Sequence, residues 1–203
     1  MNRRDALQQV AWLMGGTISA PALLGILDGC SAKPSAQFRP QFLSAAEGAL
    51  MEEIAEIMIP RTTTPGAKDV GVPAFIDTML REVYDPSDQH RYRLGLSEFA
   101  AGAWRIRGHE FLDLNGAERK ALVQSAHDSA VAEELRQKAL HGTLLRPFIL
   151  MTKELCMLGF FTSQVGATQV LQYVAVPGAY RGCVPIKEAG QGKTWAQETS
   201  NAF

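Results

Sequence analysis

The sequence predicts an all-α fold: an irregular helical bundle that gives way to an extended, loop-rich C-terminal tail. Three observations carry the prediction. Apolar residues recur at three- and four-residue steps through most of residues 44–159. Helix-starting residues precede these runs, and proline or glycine follows them. Alternation of apolar and polar positions, the mark of a half-buried strand, is nearly absent.

The first 30 residues read as a targeting segment and not as part of the bundle. Arg3 and Arg4 precede a weakly apolar stretch over residues 6–27, diluted by Gly15, Gly16, Thr17, Ser19, Pro21 and Gly25. A membrane span needs roughly 20 predominantly apolar residues, and this stretch reaches that length only by counting its glycines and polar groups. The arginine pair followed by Asp5, Ala6 and Leu7 resembles a twin-arginine export signal, with Ala6 where a bulky residue is usual. An uncleaved amphipathic or anchoring helix is the alternative. Cys30 closes Leu27-Asp28-Gly29-Cys30, which resembles a lipoprotein cleavage box except for Asp28. Residues 31–41, with Pro34 and Pro40, form a linker to a domain spanning 42–203.

In that domain Ser44 and Glu47 make a capping-box pattern for the first helix, with Leu50, Ile54, Ile57 and Met58 as its stripe and Pro60 as its stop. Residues 60–71 form a loop holding Arg61 among three threonines. Pro73 suits the start of a second helix, whose stripe is Ile76, Met79, Leu80 and Val83. Asp85-Pro86 gives the N-cap and first position of a third, with Tyr92, Leu96, Phe99, Ala103 and Ile106 facing inward and Gly108 at its end. Asn115 and Glu118 cap a fourth helix, and residues 129–141 read as a further one ending at Gly142. Residues 144–159 are strongly apolar, with Phe148, Met151, Leu155 and Leu158 in helical register. From Gly159 the register breaks, and the segment around Tyr173, Pro177, Tyr180 and Pro185 reads as an irregular tail.

Little in the chain carries chemistry. The 20 basic residues are balanced by 21 acidic ones, so the basic excess of a nucleic-acid surface is missing. There is no dinucleotide-binding glycine fingerprint, no phosphate-cradling loop, and no Cys-x-x-Cys-His for covalent haem. His90, His109, His127 and His141 lie on different predicted segments, without metal-protease spacing. A metal assembled from His109, His127 and nearby acids is the weakest reading. Ser163 lacks the nucleophile elbow. The three cysteines, Cys30, Cys156 and Cys183, cannot all pair within one chain. Cys156 and Cys183 could join each other, one could reach a partner, or Cys156 could be a buried free thiol. Arg61, Phe160, Phe161, Tyr173, Tyr180 and Arg181 are the candidates for a partner interface, since aromatic and arginine side chains serve as anchors there. For Phe160 and Phe161, closing the core is an equal alternative.

Three segments, taken in order after the arginine pair, carry a family resemblance. They are Ile59-Pro60-Arg61-Thr62-Thr63-Thr64-Pro65-Gly66-Ala67, then Gly159-Phe160-Phe161-Thr162-Ser163-Gln164-Val165-Gly166-Ala167, then Val176-Pro177-Gly178-Ala179-Tyr180-Arg181-Gly182-Cys183-Val184-Pro185. As a set this resembles gluconate 2-dehydrogenase subunit 3. The resemblance implies a small subunit of a periplasmic sugar or sugar-acid dehydrogenase, supplying the export signal and needed for its partner's maturation. Catalysis and FAD belong to the large subunit, and a multihaem cytochrome c accepts the electrons. The chain itself is then expected to hold no cofactor, metal or catalytic residue. It would meet the twin-arginine translocase during export and reside in the periplasm, at or near the inner membrane. The alternative is a stand-alone periplasmic lipoprotein or ligand-binding module anchored through Cys30.

Overall fold

A computed structural model describes residues 38–140 and 145–174, together with 183–185, 187–188 and 192–194. The expected export segment with Arg3, Arg4 and Cys30, most of the expected linker, His141, Gly142, Tyr180 and Arg181 lie outside the described residues. Five α-helices are described: α1 (Ala45–Met58), α2 (Val72–Glu82), α3 (Pro86–Arg107), α4 (Gly116–Ala139) and α5 (Phe148–Thr162). A 3-10 turn, Phe111–Asp113, links α3 to α4, and a π-helical turn, Gly166–Val170, follows α5. No strand occurs among the described residues. None of the described helices is long and apolar enough to cross a membrane.

The helix starts follow from side chains that take up free backbone N–H groups. At α1 the Glu47 N–H donates to Ser44 Oγ at 3.3 Å, and the Ser44 N–H donates back to Glu47 Oε2 at 2.8 Å. Asn115 and Glu118 repeat this reciprocal pair at α4. At α3, Asp85 Oδ1 accepts from the N–H groups of Ser87 and Asp88. The same helix ends on Gly108, whose φ of 72° is left-handed backbone that suits glycine.

α5 is the hub. It packs against each of α1, α2, α3 and α4, and Phe148, Ile149, Leu150, Met151 and Thr152 are all buried. Five successive buried residues go right round a helix, so α5 is central and not a surface element with one apolar stripe. Around it stand Met51, Ile54, Ile76, Leu80, Tyr92 and Leu96, each at most 1% exposed. The Tyr92 ring meets Phe148 edge-on at 6.1 Å. Thr152 donates its hydroxyl to the Phe148 carbonyl at 2.8 Å, so the Tyr92 hydroxyl donates to Thr152 Oγ1 across 2.9 Å. A buried polar pair is thereby satisfied.

One buried acid organises the entry to the domain. Asp77, on the inner face of α2, is 2% exposed and accepts from the backbone N–H groups of Gln41, Phe42 and Leu43 at 2.7, 3.1 and 2.9 Å. These residues lead straight into α1, so the carboxylate fixes where the chain enters the bundle.

Four expectations need correction. Residues 116–139 form one helix, not two. After Gly116 the span contains neither proline nor glycine, and Ser129 sits inside it as an ordinary helical residue. Gly159 does not break α5, which runs on to Thr162. Its missing side chain makes room for Phe75, whose Cδ1 would lie 2.6 Å from a Cβ there. The break comes at Ser163, whose hydroxyl donates to Phe160 O and accepts from the Gly166 N–H. Val83 and Ile106, assigned to buried stripes, are 64% and 66% exposed, and each lies at the C-terminal end of its helix. Beyond the π-helical turn the Gln172 N–H donates to Thr194 O at 2.8 Å and Lys193 Nζ to Gln169 O at 2.7 Å.

Candidate partner-binding surface

The residues singled out from sequence do not converge on one site. Arg61 is exposed, but its guanidinium grips Asp69, with Nε donating to Oδ2 at 2.6 Å. Its own N–H and that of Lys68 donate to the two Glu56 oxygens at 3.0 Å each. The 60–71 loop is therefore folded onto α1 by its own charges and does not present a free cation. Phe160, 3% exposed, belongs to the core, which removes it from the interface candidates. Phe161 is partly buried and stacks edge-on against it at 5.3 Å. Tyr173 is 58% exposed. Cys156 and Cys183 are free thiols in this structure, the first buried and the second exposed.

The chemistry available inside the bundle is slight. Burial pushes the Cys156 thiol up to about 12, so it stays protonated and is a poor nucleophile. It floors a pocket of about 220 Å³ between α4, α5 and the end of α1, with Lys120, His127 and Lys153 at its mouth. Lys153 Nζ lies 2.9 Å from His127 Nε2, to which it donates, and His127 Nδ1 lies 3.3 Å from Asp128 Oδ1. His90 and His109 are exposed. Among the described residues no three His, Cys, Asp or Glu side chains are grouped to hold a metal.

A more developed surface lies between α1 and α3, where a groove of about 490 Å³ opens to solvent. Leu50, Leu96 and Phe111 form its floor, each 7% exposed or less. Ala46, Ser97 and Ala100 line the walls, and their short side chains leave the space. Trp104 closes one end, one turn beyond Ala100 on the same face of α3, beside Leu112 of the 3-10 turn. Trp104 is 61% exposed and Leu112 36%. At the other end Arg93 binds Glu47 through two hydrogen bonds, of 3.0 and 3.2 Å. Burial pulls the Glu47 carboxyl upward, but Arg93 and the Ser44 N–H and hydroxyl outweigh it and hold it below the usual value. Glu110, exposed on the rim, makes no ion pair among the described residues.

This groove went unread in the sequence, which assigned α3 the stripe through Tyr92 and Ala103. The signal was present: Arg93, Ser97, Ala100 and Trp104 recur at four-, three- and four-residue steps, a second face with a tryptophan at its end. A large aromatic beside small residues, outside the buried stripe, points to something that covers it.

Comparison with known proteins gives one family. The family model for gluconate 2-dehydrogenase subunit 3 matches residues 45–178. No curated protein and no solved structure matches the chain significantly.

Proposed function

Because the chain belongs to the gluconate 2-dehydrogenase subunit 3 family, we propose that it is the non-catalytic small subunit of a periplasmic dehydrogenase complex. In this reading it binds a large FAD-dependent subunit that oxidises a sugar or sugar acid. It supports that subunit's maturation and carries it, folded, through the twin-arginine translocase. The observation behind the reading is the family match over residues 45–178, which spans all five helices. The bundle is compatible with such a role. Its interior holds a tyrosine–threonine pair and a protonated thiol, and the Arg61–Asp69 pair folds the 60–71 loop onto the bundle. FAD and the haem c that receives the electrons would reside in partner chains.

Escort function rests on Arg3 and Arg4. Replacing both with lysine is expected to leave this chain and its flavoprotein partner in the cytoplasm, measured by fractionation and immunoblotting of both. A partner that still reaches the periplasm contradicts the escort role. Mass spectrometry of the mature N-terminus separates a cleaved or retained signal from a lipid on Cys30.

A further inference from the structure

We propose that the α1–α3 groove is the seat of the large dehydrogenase subunit. It takes an apolar side chain of that subunit, flanked by a lysine or arginine that pairs with Glu110. The inference rests on the accessory-subunit reading and specifies where, and with what chemistry, the two chains meet.

Family membership supplies the partner: a subunit has a surface that another chain covers. Four observations place that surface here. Trp104 is 61% exposed, while the groove floor beside it is apolar and already shielded. An inserted side chain gains contact on three sides, the setting in which tryptophan dominates binding energy. The walls are built from short side chains, so entry displaces nothing. The charges on the rim are unequal. Glu47 is engaged by Arg93 on both oxygens, whereas the Glu110 carboxylate is unpaired among the described residues. A cationic group is therefore the complementary neighbour. Finally, every lining residue except Ser44 falls within residues 45–178, the span that makes the chain a family member.

A second copy of this chain fits less well. Groove against groove, the one cation among the lining residues is Arg93, which is already bound to both Glu47 oxygens, so a second copy brings no free cation from its groove to Glu110. The pocket at His127 is a poorer seat, because Lys153 already fills the imidazole's accepting position.

The test uses the full chain and its co-expressed dehydrogenase subunit, with affinity measured at low and raised salt. Trp104→Ala is expected to weaken the complex about 30-fold. Glu110→Lys should weaken it too and reduce the salt dependence, with Glu110→Gln intermediate. Leu135→Ala, at a residue 62% exposed on α4 and outside the groove, should bind like wild type. Trp104 and Glu110 are both exposed, so circular dichroism should show unchanged folding; if Trp104→Ala misfolds, the two Glu110 variants decide the matter. A complex that forms normally with Trp104→Ala and Glu110→Lys overturns the groove assignment and leaves the accessory reading standing. A wild-type chain that forms no complex removes both. Loss of a homodimer by Trp104→Ala, with the dehydrogenase complex intact, would reassign the groove to a second copy.

Discussion

At the scale of single residues, three sets of side chains lend themselves to direct tests. Asp77 satisfies three backbone donors from inside the bundle. Asp77→Ala should destabilise the domain by about 2–3 kcal/mol in urea denaturation, because buried N–H groups are left without acceptors. Asp77→Asn retains one accepting oxygen and should lose less. The sequence held a clue to this role: an aspartate beside Ile76 and three residues before Leu80 lies on the apolar face of α2, where a carboxylate needs donors. Which donors it finds depends on residues 34–36 positions away, beyond the reach of helical spacing. Glu47 provides a pH signature. Its carboxyl is held below 4.5 in the folded chain, so its contribution to stability is complete above that pH and fades as pH falls through the lowered value. The stability gap between wild type and Glu47→Gln should therefore be widest near neutrality and close in acid. The thiols give the third check. With Cys30 replaced by serine, a thiol reagent at pH 8 should label one cysteine, Cys183, in the native chain and two after unfolding. A Cys156–Cys183 disulfide would leave none to label.

At the scale of elements, two helical glycines should respond in opposite directions. A methyl group added at Gly102 in α3 would point into open space, with no neighbour within 4 Å, so Gly102→Ala should stabilise by up to about 1 kcal/mol through helix propensity. Gly159 in α5 has Phe75 against it, and Gly159→Ala should cost about 1–3 kcal/mol from overpacking despite the same propensity gain. Thermal melts of both variants decide the matter, and equal signs would mean that the α2–α5 contact is looser than described. Local signals read well here: Ser44, Asp85 and Asn115 each cap a helix where the sequence placed them. Gly159 misled because the same residue type that ends helices also lets two of them approach, and only the packing partner distinguishes the cases. The split assigned near Ser129 failed for a related reason, since a potential cap inside a continuous helical pattern starts nothing.

At the scale of the whole molecule, α5 explains the architecture. A segment apolar on all sides must be surrounded, and the four other α-helices, each shorter on apolar surface, do the surrounding. The helical class was legible because periodicity records burial. The docking groove was not, because an exposed tryptophan and a buried one look alike until the neighbouring helix is in place. On its surface the bundle offers Trp104 and Leu112 beside Glu110. In the function proposed above, this bundle works as a companion to a flavoprotein and performs no redox chemistry of its own. The decisive experiment is native mass spectrometry of the complex, with each subunit then isolated and its flavin and turnover measured. One copy of this chain should be found bound to the large subunit, and all flavin and all activity should follow the large subunit on separation. Stoichiometric flavin, or substrate oxidation, that stays with this chain alone would contradict the companion role.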